Sequence, residues 1–172
     1  MQAEFRARHA RPAVGPALVV GSRIYPGRED WRGWLPEARG LDMQAGDGVD
    51  IVWNLERPLP HDGVFAHVEC LSVLEHTPRP WCVARNIERL LRPGGTLFLS
   101  VPFVWRVHGY PSDYWRFTAA GVRALFPRIR WEVVRYGHRE LEDDGKRPFP
   151  VVKVDGLPFL GRSEVLGFGV RL

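Results

Sequence analysis

The chain has 172 residues, of which 45% are hydrophobic and 26% are charged, a composition typical of one globular domain with its own core. It has no apolar stretch long enough to cross a bilayer, and its basic start lacks the apolar run of a secretory signal, so we expect a cytoplasmic protein without a membrane partner. The net charge of +4 comes from arginines scattered along the chain, which argues against a nucleic-acid-binding arm.

The predicted elements begin with a basic segment, residues 1–16, whose prolines and lack of periodicity favour an arm or a short helix laid over the body. A single domain is expected over residues 17–172, where apolar runs predict strands and an i, i+3, i+4 spacing predicts helices. The predicted strands are 17–21, 40–43, 49–53, 63–71, 96–101, 131–136, 151–154 and 165–171. The predicted helices are 29–35, 80–91 and 119–126.

Strands that alternate with helices predict an α/β fold, a Rossmann-like, doubly wound and mostly parallel sheet with helices on both faces. We expect Pro102 to end the strand over 96–101 and Thr118 to cap the helix that follows. The charged segment 137–150 is expected to be exposed. Sheets of this kind bind ligands at the carboxyl ends of their strands, so the candidate site residues are sought there.

The first candidate position follows the strand over 17–21. Gly21 would let the backbone approach a ligand closely, with free amide groups pointing outward from the turn that continues through Ser22 and Arg23. The segment GSRIYPG has neither the GxGxxG pattern of nicotinamide cofactors nor the GK[ST] ending of a phosphate loop. This absence argues against a dehydrogenase or an ATPase.

Asp42 closes the second predicted strand, about twenty residues after the glycine turn, which is the span of one strand–helix–strand unit. A carboxylate there can accept hydrogen bonds from both hydroxyls of a ribose, an interpretation that we favour over a turn cap. Asn54, after the third strand, could offer its amide to an adenine edge, with Met43 and Leu55 supplying apolar faces to the ring. Taken alone, Asn54 is better interpreted as a turn residue than as a ligand to adenine.

Four segments carry a resemblance to a known family: GLDMQAGDGVDIVWNLE, LSVLEHTPRPW, RLLRPGGTLFLSVPF and HGYPSDYWRFT. With the order of elements, they resemble the class I S-adenosylmethionine-dependent methyltransferases of the broad UbiE type, over about residues 17–126. The resemblance implies S-adenosyl-L-methionine as cofactor, transfer of its methyl group and an antiparallel strand near one edge of the sheet. The last segment resembles a subgroup found beside sugar and secondary-metabolite genes, which implies a small-molecule or sugar-linked acceptor.

The resemblance also assigns residues to the cofactor, from its methionine end through the ribose to the adenine. These residues are Gly21, Ser22, Arg23, Asp42, Met43, Asn54 and Leu55, with Cys70 and Leu71 passing under the cofactor. Glu75 and His76 match a Leu-Glu-His signature whose acid and histidine are often structural in this family, so no chemistry is assigned to them.

The chain departs from the family pattern in two places. The family's first strand usually carries an acid and is followed by a DxGxGxG loop, whereas Val19 and Val20 here precede Gly21, Ser22 and Arg23. The sequence also lacks most of the helical N-terminal region that commonly covers the pocket in this family. We therefore expect a short arm, a loop or a partner subunit to cover the substrate, and a homodimer is one way to supply it. These departures keep open a second hypothesis, a catalytically degenerate domain that serves as a binding partner.

The acceptor pocket is predicted from His108, Asp113 and Tyr114, which follow the fifth strand at the same end of the sheet. His108 is a candidate general base because histidine titrates near neutral pH, with Asp113 orienting it. The alternative is a packed loop in which Asp113 pairs with Arg116 and the aromatic residues fill the core. A nucleic-acid methyltransferase, the third hypothesis, would be expected to carry an NPPY or DPPY tetrapeptide, which the sequence lacks.

No metal site is predicted from the sequence. Cys70 and Cys82 are too few for a disulfide framework, and no histidine or cysteine lies near them at the spacing of a zinc site. Both cysteines are expected to be reduced thiols.

Overall fold

The computed structural model describes residues 2–27, 30–35, 37–109, 112–138, 152–154, 157–159 and 163–172. The strands are β1 (Ala17–Val20), β2 (Ala38–Asp42), β3 (Ile51–Val52), β4 (Phe65–Leu71), β5 (Leu91–Val104), β6 (Ile129–His138), β7 (Val152–Val154), β8 (Leu157–Phe159) and β9 (Ser163–Arg171). The helices are α1 (Gln2–His9), α2 (Pro80–Leu90) and α3 (Ala119–Leu125), and short 3-10 helices span Trp31–Trp34 and Leu74–His76.

One sheet of seven strands has the order β3-β2-β1-β4-β5-β9-β6, and β7 and β8 form a second, two-stranded sheet. Strands β1 to β5 are joined by parallel pairings, whereas β9 runs antiparallel to both β5 and β6. The direction of winding reverses between β1 and β4, which is where open α/β sheets form a ligand crevice. A mostly parallel sheet with an antiparallel strand near one edge confirms the predicted fold class.

Strand β1 is buried on both faces, as its continuous apolar run predicts. Leu18 and Val20 belong to a core shared with α2 and α3, whereas Ala17 and Val19 pack with Leu35 on the other face. Successive side chains of a strand point to opposite faces, so this one short strand serves both layers.

Helix α1 covers the face opposite α2 and α3. The ring of Phe5 stacks on that of Phe98 in β5, with 5.6 Å between centroids. On the next residue, Arg6 Nη2 lies 2.6 Å from Glu69 Oε2 of β4, and both side chains are buried. An apolar contact and a buried ion pair therefore hold the N-terminal helix against the middle of the sheet.

Two predicted elements differ from the structure, while Thr118 caps α3 as expected by accepting the amide of Gly121 at 3.0 Å. Strand β5 continues past Pro102 to Val104, so the prediction that Pro102 ends it is wrong. The register with β9 shifts between these two residues, and such an irregularity tolerates a residue that lacks an N–H group. The helix predicted over 29–35 is reduced to the 3-10 helix Trp31–Trp34. Residues 139–151, most of the segment predicted to be exposed, lie outside the described residues.

Candidate active site at the carboxyl ends of the parallel strands

The predicted site residues meet along one edge of the sheet, called here the carboxyl edge. Gly21 follows β1, Asp42 ends β2 and Asn54 comes shortly after β3. The loop after β5 carries His108 and Asp113. Because β1 to β5 run parallel, their last residues lie at the same edge, as the position of a ligand crevice requires.

The turn after β1 differs from the prediction. Gly21 has a φ of +73°, which turns the chain toward β2. The amides of Gly21 and Ser22 both donate to the carbonyl oxygen of Leu41, at 2.8 and 3.2 Å. The amide of Arg23 donates to Asp42 Oδ2 at 3.4 Å. The expectation of free amides is therefore wrong, because these N–H groups fasten the turn to β2.

The side chains of this turn have unequal access to the edge. Ser22 is buried against Gly40, where a Cβ would lie 2.4 Å from its Oγ. Arg23 instead reaches across to the loop after β2 and hydrogen-bonds the side chain of Gln44. Its guanidinium carbon also lies 5.2 Å from the centre of the Tyr25 ring. Arg23 is thus the residue of the turn whose side chain extends along the carboxyl edge.

The carboxylate of Asp42 stands at the end of β2 with capacity to bind more. Its Oδ1 accepts the amide of Gln44 at 2.9 Å, while Oδ2 accepts the longer bond from Arg23. Each carboxylate oxygen can accept two hydrogen bonds, so the turn contacts leave one position on each. The next residue, Met43, is 56% exposed and puts apolar surface beside this carboxylate.

Asn54 and Leu55 form the neighbouring part of the edge. Asn54 Oδ1 accepts the amide of Glu56 at 2.9 Å, so its oxygen serves a turn and its NH2 group is the part that could contact a base. Leu55 has its side chain in the core, and its carbonyl oxygen accepts Asn86 Nδ2 at 2.8 Å. The two residues therefore contribute a side-chain amide and a fixed stretch of backbone.

Cys70 and Leu71 are the last two residues of β4, and both side chains are buried directly before the chain reaches the carboxyl edge. Their side chains lie in different clusters, on opposite faces of the sheet, and burial raises the pKa of the Cys70 thiol. The chain reaches the edge at Ser72, whose φ of +54° is uncommon for a residue with a side chain. Strain of this kind often occurs beside functional sites.

The 3-10 helix Leu74–His76 places an acid and a histidine next to His108. Glu75 Oε1 lies 3.8 Å from His76 Nε2 and 4.0 Å from His108 Nε2. The two imidazole rings meet edge to face, with centroids 4.9 Å apart. Only 1% of Glu75 is exposed, and this burial raises the pKa of its carboxyl group to about 8, with the charges of Glu164 and Asp113 adding to the effect.

Both histidines are oriented by acceptors behind them. His76 Nδ1 lies 2.7 Å from the carbonyl oxygen of Ser112. His108 Nδ1 hydrogen-bonds the carbonyl oxygen of Arg106 at 3.3 Å and lies 3.1 Å from Asp113 Oδ2. Since a carbonyl oxygen and a carboxylate can only accept, each neutral ring donates through Nδ1 and keeps its lone pair on Nε2. Two imidazole lone pairs are therefore held close to one buried carboxyl group.

Asp113 makes the pair with Arg116 that the alternative interpretation expected, together with its contact to His108. The guanidinium lies 2.5 Å from Oδ1 and 2.7 Å from Oδ2, and the amide of His108 donates to Oδ2 at 2.8 Å. These bonds, the one from Arg116 first, hold the pKa of Asp113 well below its usual range. Asp113 is thus an ionised residue that fixes His108 rather than a free base.

Aromatic residues form the rim beside this cluster. Tyr114 and Trp115 are exposed, and the backbone amide of Tyr114 donates to the carbonyl oxygen of Glu75 at 2.7 Å. Trp115 Nε1 donates to the carbonyl oxygen of Thr77 at 2.9 Å, and its ring meets that of Trp81 at 6.0 Å, edge on. The rim is therefore tied by backbone and side-chain bonds to the segment that carries Glu75.

Glu75 and His76 have no predicted chemical role from the sequence. Arg116 was expected only in the alternative interpretation, a packed loop in which it pairs with Asp113. Nothing in the local sequence signals that the Leu-Glu-His segment meets His108, which lies on a different loop. The available signal was the prediction of neighbouring parallel strands, because the loops that follow two such strands must approach each other.

The strand order and the position of the candidate site match the fold that the resemblance to the class I S-adenosylmethionine-dependent methyltransferases predicts. Residues 37–99 match the family described as "Methyltransferase domain". The chain is 34% identical over 156 residues to an uncharacterized methyltransferase of Mycobacterium leprae, covering 89% of this chain and 46% of that protein. It is 53% identical over 68 residues to the ubiquinone biosynthesis O-methyltransferase of Pseudomonas aeruginosa, covering 38% of this chain and 29% of that one.

Among solved structures, the fold matches the 1,6-didemethyltoxoflavin-N1-methyltransferase of Burkholderia thailandensis, whose structure contains 1,6-didemethyltoxoflavin and S-adenosylhomocysteine. The TM-score is 0.66 at 15% identity, over 99% of this chain and 76% of that chain. These comparisons confirm the resemblance to the class I methyltransferases. The chain spans less than half of the length of these curated relatives. None of the helices in the described part of the chain has the length and apolar character needed to cross a bilayer.

Proposed function

We propose that this chain binds S-adenosylmethionine at its carboxyl edge and transfers the methyl group to a small-molecule or sugar-linked acceptor in the cytoplasm. The observation that carries the proposal is the placement of the Asp42 carboxylate and the His108–Asp113 pair at the same edge, after different strands of one parallel sheet. A cofactor held at Asp42 and an acceptor held at His108 would then share one crevice.

The cofactor side of the crevice fits the adenosine part of S-adenosylmethionine. Asp42 has one acceptor position left on each oxygen for the ribose hydroxyls, Met43 offers an apolar surface to the adenine, and the Asn54 amide can meet the base edge. At the methionine end, Arg23 rather than the backbone amides would contact the cofactor's carboxylate, since those amides are engaged with β2.

The acceptor side is assigned to the loop after β5. The cofactor supplies a methyl group on a sulfonium, and the protein has to align the acceptor with it and exclude water. In the metal-free protein, His108 Nε2 carries the lone pair that would take the acceptor's proton, with Asp113 as its positioning residue and Tyr114 beside it on the rim. Methyl transfer that survives His108→Ala with an unchanged pH dependence would remove His108 from this role.

A second candidate function is a domain that keeps the fold and serves as a binding partner without catalysis. The turn after β1 favours it, because all three of its amides are used within the protein and no glycine-rich loop follows. The exposed rim at Tyr114 and Trp115 would in either case be covered by a second copy or by a partner subunit.

Calorimetric titration with S-adenosylmethionine and S-adenosylhomocysteine separates the two functions. The native chain is expected to bind both. Because a hydrogen bond to a charged group contributes about 1.5–3 kcal/mol, Asp42→Ala should weaken binding by roughly tenfold or more.

Asp47→Ala is the matched control, since Asp47 is exposed in the same loop. Its backbone carbonyl oxygen accepts a hydrogen bond from the amide of Ile24, a contact that the substitution keeps. This variant should bind like the native chain. A native chain that binds neither compound would favour the non-catalytic partner, and equal weakening by both substitutions would move the ribose contact away from Asp42.

A further inference from the structure

Glu75, His76 and His108 form a partly buried cluster beside the predicted acceptor pocket. We propose that Glu75, His76 and His108 together bind one transition-metal ion of the Zn²⁺ class. One ligand atom from each residue lies within 4.8 Å of the other two. Tetrahedral zinc with ligand bonds of about 2.0–2.2 Å holds its ligand atoms about 3.4 Å apart. Glu75 Oε1 lies 3.8 and 4.0 Å from the two Nε2 atoms. Small side-chain rotations would shorten these distances to the value expected around zinc.

The surroundings of both histidines are those of metal ligands. A ligating histidine normally donates its second ring N–H to a carbonyl or a carboxylate, which fixes the tautomer and the direction of the free lone pair. His76 donates from Nδ1 to the carbonyl oxygen of Ser112, and His108 donates from Nδ1 to the carbonyl oxygen of Arg106, with Asp113 Oδ2 3.1 Å from the same nitrogen. Arg116 holds Asp113 in turn through two bonds. Both Nε2 atoms are therefore preset toward Glu75.

The carboxyl group supplies an independent observation. Glu75 is almost fully buried, yet its Oε2 has no hydrogen-bond partner among the residues that the structure describes. A buried polar atom without a partner costs about 1–3 kcal/mol and requires an explanation such as a bound ion. A cation bound by the Glu75 carboxylate would compensate the burial of both of its oxygens. No described side chain hydrogen-bonds Oε2.

The ligand set indicates which metal would bind. Two imidazoles and one carboxylate suit zinc, cobalt and iron, whereas magnesium and calcium prefer oxygen ligands throughout. Three protein ligands also leave at least one coordination position open, which is the arrangement of catalytic rather than structural zinc sites. We therefore expect Mg²⁺ to compete poorly at this site.

The role of the ion rests on the proposed function and names its substrate class, an acceptor that carries a hydroxyl group. Bound at the open position, the hydroxyl would have its pKa lowered by the cation and would release its proton to water. The oxygen then forms a bond to the methyl carbon as the bond from that carbon to sulfur breaks, giving a methyl ether and S-adenosylhomocysteine. In this state His108 is a ligand, and the proton does not pass to it.

Titration of the full chain with Co²⁺ tests the site without any acceptor. The protein is first freed of metal with a chelator, and any affinity tag is removed. We expect the visible absorption of Co²⁺ bound to nitrogen and oxygen ligands, saturating at one ion per chain, and its loss on addition of Zn²⁺ but not of equimolar Mg²⁺. Glu75→Gln, His76→Ala and His108→Ala should each weaken Co²⁺ binding by at least tenfold.

His61→Ala is the control, because His61 is exposed and precedes β4, whereas Glu75 and His76 follow the other end of that strand. This variant should bind Co²⁺ like the native chain. Far-ultraviolet circular dichroism identifies any variant that fails to fold, and His108→Ala, at a partly exposed position, is the variant best placed to remain folded. Cluster variants that fold and bind Co²⁺ with native affinity, or thiolate absorption that reports binding at Cys82, would overturn the metal site.

The same metal-free protein separates this inference from the proposed function. In one outcome, calorimetry shows that the protein binds S-adenosylhomocysteine in the presence of chelator, but chelator-free protein shows no Co²⁺ absorption. That result would rule out the metal site and leave the proposed methyltransferase function intact. Co²⁺ bound as expected with no binding of either cofactor form would keep the metal site and remove the proposed transfer reaction.

Discussion

At the scale of single residues, the site depends on side chains and amides whose bonding partners come from a neighbouring strand. The turn after β1 is the clearest case, since the amides of Gly21, Ser22 and Arg23 are all taken by residues at the end of β2. The cluster of Glu75, His76 and His108 is another, because His76 is held by the carbonyl oxygen of Ser112, which lies in the loop after β5. Local sequence cannot reveal such partners, which is why free amides were expected and the cluster was not.

Gly21 gives a prediction at this scale. Its φ of +73° costs a residue with a side chain about 1–2 kcal/mol. A Cβ there would also lie 2.4 Å from Val73 Cγ2, an overlap that should add about 1–3 kcal/mol because a β-branched side chain adjusts poorly. Gly21→Ala should therefore lower the free energy of unfolding by about 2–5 kcal/mol, as measured by urea denaturation.

Gly27→Ala isolates the backbone part of this effect. Gly27 has a similar φ of +77°, but a Cβ at this position would meet nothing within 4 Å. It should cost only the backbone term of about 1–2 kcal/mol. Equal losses from the two substitutions would show that the contact between the turn and Val73 is not formed in solution.

At the scale of elements, the apolar runs predicted most strands and the 3.6-residue spacing predicted α2, because these patterns reflect burial directly. The errors occur where a distant partner decides the structure. β5 passes Pro102 because β9, more than fifty residues later, pairs with it there. The order of strands and the antiparallel placement of β9 were available only through the family resemblance, since periodicity carries no information on which strands pair.

Helix α1 gives the prediction at this scale. Arg6 and Glu69 are both buried, and removing one partner of such a pair leaves an uncompensated charge that costs about 3–5 kcal/mol. Arg6→Ala should lower the free energy of unfolding by this amount, and the double substitution Arg6→Met with Glu69→Leu should restore much of it. Thermal and urea unfolding followed by circular dichroism would measure both.

Arg8→Ala is the control on the same helix. Arg8 pairs with Glu4 at 2.9 Å, but both side chains are more than 60% exposed, so the pair should contribute at most about 1 kcal/mol. A loss from Arg6→Ala no larger than that from Arg8→Ala would mean that α1 does not dock on the sheet as described.

At the scale of the whole molecule, the parallel half of the sheet determines where function can occur. Strands β1 to β5 end at one edge and bring together, from segments far apart in sequence, the carboxylate proposed to hold the cofactor and the cluster proposed to hold the acceptor. Helix α1 packs against the middle of the sheet, and the antiparallel strand β9 joins β5 to the edge strand β6. Neither element carries a predicted site residue. The fold could be predicted from the sequence because a family resemblance covered most of the chain, whereas the details of the site could not, because they depend on contacts between loops.

Hydrogen exchange measured by mass spectrometry, with and without S-adenosylhomocysteine, tests the central claim most directly because it locates the ligand on the native chain. Ligand binding lowers the population of open states and slows exchange where it acts. Slower exchange is expected in residues 21–23, 42–44, 54–55 and 72–76, with little change in α3. No change anywhere, or protection confined to segments away from the carboxyl edge, would contradict the claim that this edge is a cofactor site.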